Sequence, residues 1–81
     1  MNPEEFRRIG HQVIDWIADY RARVADLPVR SKAEPGSIRA QLPSAPPSQP
    51  ESFESIFNDL DQIIMPGLSH WQHPNFFGYF P

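Results

Sequence analysis

An all-α fold, built as an extended helical arm, is predicted for this chain by three observations. Its ten prolines are absent from two stretches, residues 4–27 and 51–65. Within both stretches apolar residues recur at spacings of three and four, the period of one helix face. Between them the periodicity is lost, and Pro28, Pro35, Pro43, Pro46, Pro47 and Pro50 punctuate the chain. With 81 residues there is at most one small domain, and a chain of this size is marginal without a staple or a partner.

The first helix is predicted over about residues 3–24. Asn2 is a good N-cap, and Pro3 suits the first helical position, where its missing N–H costs nothing. Glu5, three residues after Asn2, completes a capping-box pattern and favours the positive helix end. Phe6, Ile9, Val13, Trp16, Ile17, Tyr20 and Val24 form the apolar stripe, and Ile14 widens it. Glu4 with Arg8, and Asp19 with Arg23, are favourable i,i+4 pairs on the polar face. Gly10 costs roughly 1 kcal/mol against Ala in a helix; its expected use is to let another backbone approach closely.

Residues 25–51 read as a proline-rich connection. Pro35-Gly36-Ser37-Ile38-Arg39-Ala40-Gln41-Leu42 allows one or two helical turns before Pro43, and residues 44–50 are expected to be extended. So long a connection is unusual inside a small domain, and the simplest account is that it runs over another domain or subunit. A second long helix is predicted over about residues 52–64, with Phe53, Ile56, Phe57, Leu60, Ile63 and Ile64 on its stripe and Pro66-Gly67 ending it. Residues 68–81 form an aromatic tail in which Pro74, Gly78 and Pro81 forbid a regular helix. The tail stops in an aromatic run, so the chain is expected to continue past Pro81.

Composition excludes several functions. Without cysteine there is no disulfide, thiolate metal site or thiol catalysis, and a reducing, cytoplasmic location is expected. Net charge is −3 with the signs interspersed, which gives no reason to bind nucleic acid. The acidic start lacks the basic and apolar regions of a secretory signal, and no apolar run approaches the roughly 20 residues that span a bilayer. A membrane-surface role for the aromatic tail conflicts with the net acidic charge, since interfacial helices favour lysine and arginine.

Candidate chemistry is sparse. His70 and His73 stand at i,i+3, a spacing that admits a shared metal on a helix. Pro74 disfavours helix at His73, and no acidic residue or cysteine is near to complete the set. No metal is expected; the pair reads as loop histidines bonded to backbone or ligand groups. Lys32, the only lysine, lies in a polar, proline-rich stretch, where a solvated side chain is expected rather than a Schiff base in a desolvated pocket. There is no glycine-rich phosphate loop, no catalytic triad and no facing pair of carboxylates, so no catalytic residue is assigned within these residues. On the residues alone, the chain is a helical interaction segment with an aromatic tail.

The ending Ile63-Ile64-Met65-Pro66-Gly67-Leu68-Ser69-His70-Trp71-Gln72-His73-Pro74-Asn75-Phe76-Phe77-Gly78-Tyr79-Phe80-Pro81 closely resembles the group II pyridoxal-phosphate-dependent decarboxylases, which act on DOPA, tyrosine and tryptophan. The resemblance extends through Glu34-Pro35-Gly36-Ser37-Ile38-Arg39, with Ser37 in place of the family's usual tyrosine, and through Glu4-Glu5-Phe6-Arg7-Arg8 and Val13-Ile14-Asp15-Trp16-Ile17-Ala18-Asp19-Tyr20. It spans the whole chain, and the tail motif is the most specific part. Gly78 is similar to bacterial members. Phe77-Gly78-Tyr79-Phe80 is similar to enzymes for aromatic substrates rather than to histidine decarboxylases.

The resemblance implies the N-terminal part of a longer enzyme with the fold of aspartate aminotransferase. Pyridoxal 5'-phosphate would be bound downstream, and no cofactor-binding residue would lie in this segment. It implies a homodimer in which the arm, through Phe6, Ile9, Gly10, Val13, Trp16, Ile17 and Tyr20, packs on the other subunit. It further implies that Trp71, Tyr79, Phe80 and Pro81 line the pocket for the substrate's aromatic side chain. Some members of the family form aldehydes instead of amines. The competing reading is a self-standing helical interaction module with no enzymatic activity.

Overall fold

The structure is a computed structural model that describes residues 1–78. Among the described residues the regular elements are all helical, with no strand, as the sequence predicts. The chain divides into two units, residues 1–27 with the tail from residue 70, and residues 28–69.

In the first unit, helix α1 spans Pro3–Arg23. Asn2 is extended, and its side-chain oxygen accepts the Glu5 N–H at 2.8 Å, satisfying one of the donors that a helix start leaves open. Glu4 and Glu5 lie in the first turn and Arg21 and Arg23 in the last, so both ends complement the helix dipole. Glu4 pairs with Arg7 at 2.7 Å, one residue nearer than the expected partner Arg8, while Arg8 reaches Gln12 at 3.4 Å. The helix stops one residue before the expected Val24. The chain then tightens into a 3₁₀ turn, Val24–Asp26, closed by the Leu27 N–H on the Val24 carbonyl at 3.1 Å. Leu27 is extended because it precedes Pro28, whose ring disfavours helical backbone in the residue before it.

The second unit begins with the connection. Pro35 and Gly36 occupy the centre of a turn closed by the Ser37 N–H on the Glu34 carbonyl at 3.0 Å. Gly36 has φ 86 and ψ −10, the left-handed geometry that the third position of a type II turn demands and that glycine adopts without a steric penalty. Helix α2, Ser37–Gln41, follows, and Leu42 is extended ahead of Pro43. Ser52 caps helix α3, Phe53–Asp59, by accepting the Ser55 N–H at 3.1 Å, and the rings of Phe53 and Phe57 stack one turn apart at 5.0 Å.

Beyond α3 the rod keeps to the expected end at Pro66-Gly67 but changes its winding on the way. The helix widens into a π turn, Leu60–Ile64, in which the Met65 N–H reaches the Leu60 carbonyl, and then tightens into a 3₁₀ turn, Met65–Gly67. The physical reason is Pro66. Its ring clashes with a carbonyl four residues earlier and it has no N–H to give, and a change of winding relieves both defects without breaking the rod. Ser31 ties the connection to this end, donating to the Pro66 carbonyl at 2.6 Å and accepting the Ala33 N–H at 3.1 Å. Ile38 of α2 lies against Gly67 so closely that a Cβ there would stand 2.9 Å from its Cγ1.

No apolar side chain among the described residues is buried. Phe6, Ile14 and Ile17 on α1 and Ile56 on α3 are exposed. No described helix is long and apolar enough to cross a membrane.

Candidate substrate-side loop

The two buried residues among those described are both histidines: His70 is 4% exposed and His73 is 7% exposed. They sit in the first unit, in a loop made of two successive tight turns. The His73 N–H bonds to the His70 carbonyl at 3.0 Å, and the Phe76 N–H bonds to the His73 carbonyl at 3.0 Å. Pro74 explains why these are separate turns and not a helix.

Each imidazole is engaged through Nδ1. His73 Nδ1 accepts the Asn75 N–H at 2.9 Å, so this nitrogen carries no proton and the bond is one that loop histidines were expected to make with backbone. His70 Nδ1 lies 2.6 Å from the Tyr20 hydroxyl of α1. Burial, the neighbouring His73 and the Arg23 guanidinium together hold the His70 imidazole below its ordinary value of 6.5, burial being the largest cause. His70 is therefore neutral at pH 7. In the tautomer with the proton on Nε2 the Tyr20 hydroxyl donates to Nδ1, and in the other tautomer Nδ1–H donates to the hydroxyl.

Tyr20 is itself held by Trp16, one helical turn earlier, with ring centroids 5.7 Å apart and planes parallel within 1°. Trp71, between the two histidines, stacks on Phe76 at 5.4 Å and 18° and is still 42% exposed. The loop thus hides its polar imidazoles and presents an indole. Such a surface can grip an apolar or aromatic group.

The predicted site residues are placed as follows. Trp71 is on the loop, whereas Tyr79, Phe80 and Pro81 lie outside the described residues. Of the α1 stripe, Phe6 and Ile17 are exposed, and Ile9, Gly10 and Val13 are partly so. Trp16 and Tyr20 form the stacked pair that meets the loop. Reading the sequence missed the partnership of Tyr20 with His70, since fifty residues separate them and no local pattern links them.

Among the described residues no group of three His, Cys, Asp or Glu could hold a metal. Nor do the described residues fit pyridoxal phosphate. The cofactor needs a lysine in a desolvated pocket and a partner for its ring nitrogen, and Lys32 is exposed on an irregular stretch of the second unit.

Tyrosine decarboxylase 1 of Narcissus pseudonarcissus is 53% identical over 81 residues, all of this chain and 16% of that protein. Phenylacetaldehyde synthase of Petunia hybrida is 52% identical over the same span, again 16% of that protein. Among solved structures, tryptophan decarboxylase of Catharanthus roseus in complex with L-tryptophan matches with a TM-score of 0.89 and 41% identity, covering 100% of this chain and 18% of that one. The chain therefore spans about 16% of the length of the curated relatives it matches. The family model of the pyridoxal-dependent decarboxylase conserved domain matches residues 35–81, more than half of the chain, and with the helical fold and the aromatic loop in place this chain belongs to the pyridoxal-dependent decarboxylase family.

Proposed function

We propose that this chain is the N-terminal arm and one wall of the substrate pocket in a longer decarboxylase that uses pyridoxal phosphate to convert aromatic L-amino acids into amines and carbon dioxide. The observation that carries the reading is the buried pair of histidines with an exposed indole between them, in a chain 53% identical throughout to a tyrosine decarboxylase. The cofactor, which supplies the chemistry of decarboxylation, would be held by residues outside this segment. Trp71, with Tyr79, Phe80 and Pro81, would grip the aromatic side chain and orient the amino acid. The stripe of Phe6, Ile9, Gly10, Val13, Trp16, Ile17 and Tyr20 would pack on the second subunit of a homodimer. Its support is that this stripe finds no apolar cover sufficient to bury any of its members, and exposed apolar area of this kind marks interaction surfaces.

The test is to express the longer protein carrying this segment with pyridoxal phosphate, supply tyrosine, DOPA, tryptophan and phenylalanine, and quantify products by chromatography. Amine and carbon dioxide in equal amounts support the reading, and no turnover of any aromatic amino acid overturns it. A second reading, aldehyde formation, is favoured by the 52% identity to a phenylacetaldehyde synthase. Aldehyde, carbon dioxide and ammonia in place of amine, with dioxygen consumed and hydrogen peroxide formed, would establish it.

A further inference from the structure

We infer that the loop His70-Trp71-Gln72-His73 binds a carboxylate, with the Nε2–H of His73 as its fixed donor. His73 Nδ1 accepts the Asn75 N–H at 2.9 Å. An imidazole keeps a proton on at least one ring nitrogen, so the Nε2 of His73 carries it. That atom donates, and with no lone pair to offer it does not ligate a metal. Among the described residues neither histidine has a partner at Nε2: both bond through Nδ1, His73 to Asn75 and His70 to Tyr20. His70 is 4% and His73 7% exposed, yet no fully buried side-chain nitrogen or oxygen among the described residues lacks a partner. Nε2 is therefore where each ring reaches the surface.

What meets the His73 edge must accept a hydrogen bond. The ring is buried and tied at its other nitrogen, so its donor already points one way and little freedom is lost when a ligand arrives. The Arg23 guanidinium lies close enough to His70 to help hold that imidazole below its ordinary value. The field on that side of the loop is positive and favours an acceptor with negative charge. His70 adds a second donor in the tautomer with its proton on Nε2. No residue of the loop has a positive φ, so the loop lacks the nest of successive backbone N–H groups that phosphates take. A carboxylate, with two oxygens and one charge, fits this donor set. It has two sources: the amino-acid substrate, which rests on the proposed function, and an acidic side chain of the longer protein, which does not.

His73→Asn separates the donor from the turn. An asparagine oxygen accepts the N–H two residues on, as His73 Nδ1 does from Asn75, and asparagine before proline favours such a turn. It carries no donor at the Nε2 position. His73→Leu removes both functions. In the longer holoenzyme, inhibition constants are measured for phenylpropionate and phenylethanol, which share a ring and differ in the carboxylate. Hydrogen exchange over residues 69–77 is followed without ligand. If the substrate is the source, His73→Asn weakens phenylpropionate about tenfold or more, the loss of a bond to a charged group, and phenylethanol less than about twofold. If an acidic side chain is the source, both inhibitors stay within about twofold and exchange in the loop speeds by about tenfold or more in both variants. Either result supports the site. A His73→Asn variant that matches the wild type while His73→Leu is impaired leaves only a turn. Equal weakening of the two inhibitors marks general damage to the loop, and a rise in exchange below about tenfold with both inhibitors unchanged fits a neutral carbonyl partner at most. Each of these overturns the carboxylate site and leaves the enzyme assignment intact. A wild type that turns over no aromatic amino acid and binds neither inhibitor overturns the proposed function, and the exchange measurement then decides the site alone.

Discussion

Gly10→Ala separates what α1 does alone from what it does against a partner. Gly10 lies in the middle of a 21-residue helix, and a Cβ built on it meets nothing within 4 Å. Its φ is not positive, so alanine fits the backbone without strain. Within the chain itself the substitution should therefore stabilise α1 by about 1 kcal/mol, the difference in helix propensity. In the proposed dimer the sign reverses. If a second backbone approaches at Gly10, the added methyl enters a filled contact, where overpacking costs about 1–3 kcal/mol. In a twofold interface such a contact occurs twice when it lies off the axis. Association should weaken by roughly tenfold or more, each factor of ten being about 1.4 kcal/mol. Circular dichroism at 222 nm during thermal unfolding reads the first effect, and sedimentation equilibrium over a range of concentrations reads the second. A variant that is more helical and dimerises as tightly as wild type would refute close approach at Gly10. A wild type that stays monomeric at the highest concentration would refute a dimer built on this stripe.

Three further perturbations test the parts of the fold that hold the loop and the connection. Gly67→Ala puts a methyl 2.9 Å from Ile38 Cγ1 and 3.2 Å from its Cδ1; since a β-branched side chain is stiff at χ1, urea unfolding should show a loss of about 1–3 kcal/mol, largely absent when Ile38→Ala is made first. Asn2→Ala removes the acceptor for the Glu5 N–H and should lower the stability of α1 by about 1 kcal/mol, with Asn2→Asp close to wild type by thermal unfolding. His70, flanked by Tyr20 and Arg23 of α1 and by His73 of its own loop, has a folded pKa below 6.5; the unfolded chain then binds the proton more readily, so stability is full above about pH 6.5 and falls as pH drops toward the folded value. Melting temperatures measured from pH 7.5 to 5 should show that slope, and His70→Asn should flatten it.

Much of the helical frame was legible because its signals are local. The Asn2-Pro3 start of α1 and the stop of α2 before Pro43 each depend on residues within four positions of one another. The second long helix was legible in its stripe and its end but not in its change of winding. A proline is an ordinary stop signal, and whether a chain stops or changes its winding depends on what holds it afterwards; here Pro66 is held by Ser31, thirty-five residues earlier. The loop histidines were legible as residues bonded to backbone, which describes His73, while the partner of His70 required the fold. The exposed indole of Trp71 between two buried imidazoles has no periodicity to reveal it, and the motif alone draws attention to it.

The absence of a buried apolar side chain among the described residues bears on the weight that the hydrogen bond between Tyr20 and His70 carries. An apolar contact is non-directional, and it holds a group in place only once the surrounding space is filled. In this chain that space is open: Phe6, Ile14 and Ile17 on α1, and Phe77 on the tail at 87% exposure, have apolar surface still facing solvent. A short bond from the Tyr20 hydroxyl to a neutral, desolvated imidazole depends on direction instead. It can set the loop beside α1 before any partner surface arrives, and the stack of Trp71 on Phe76 then carries that orientation to the exposed indole. In the proposed dimer the order of assembly would follow from this chemistry: the polar clasp forms within the segment, and the apolar stripes are buried afterwards. Hydrogen exchange should then find the α1 amides near Tyr20 protected before association, and those near Phe6 and Gly10 protected only after it.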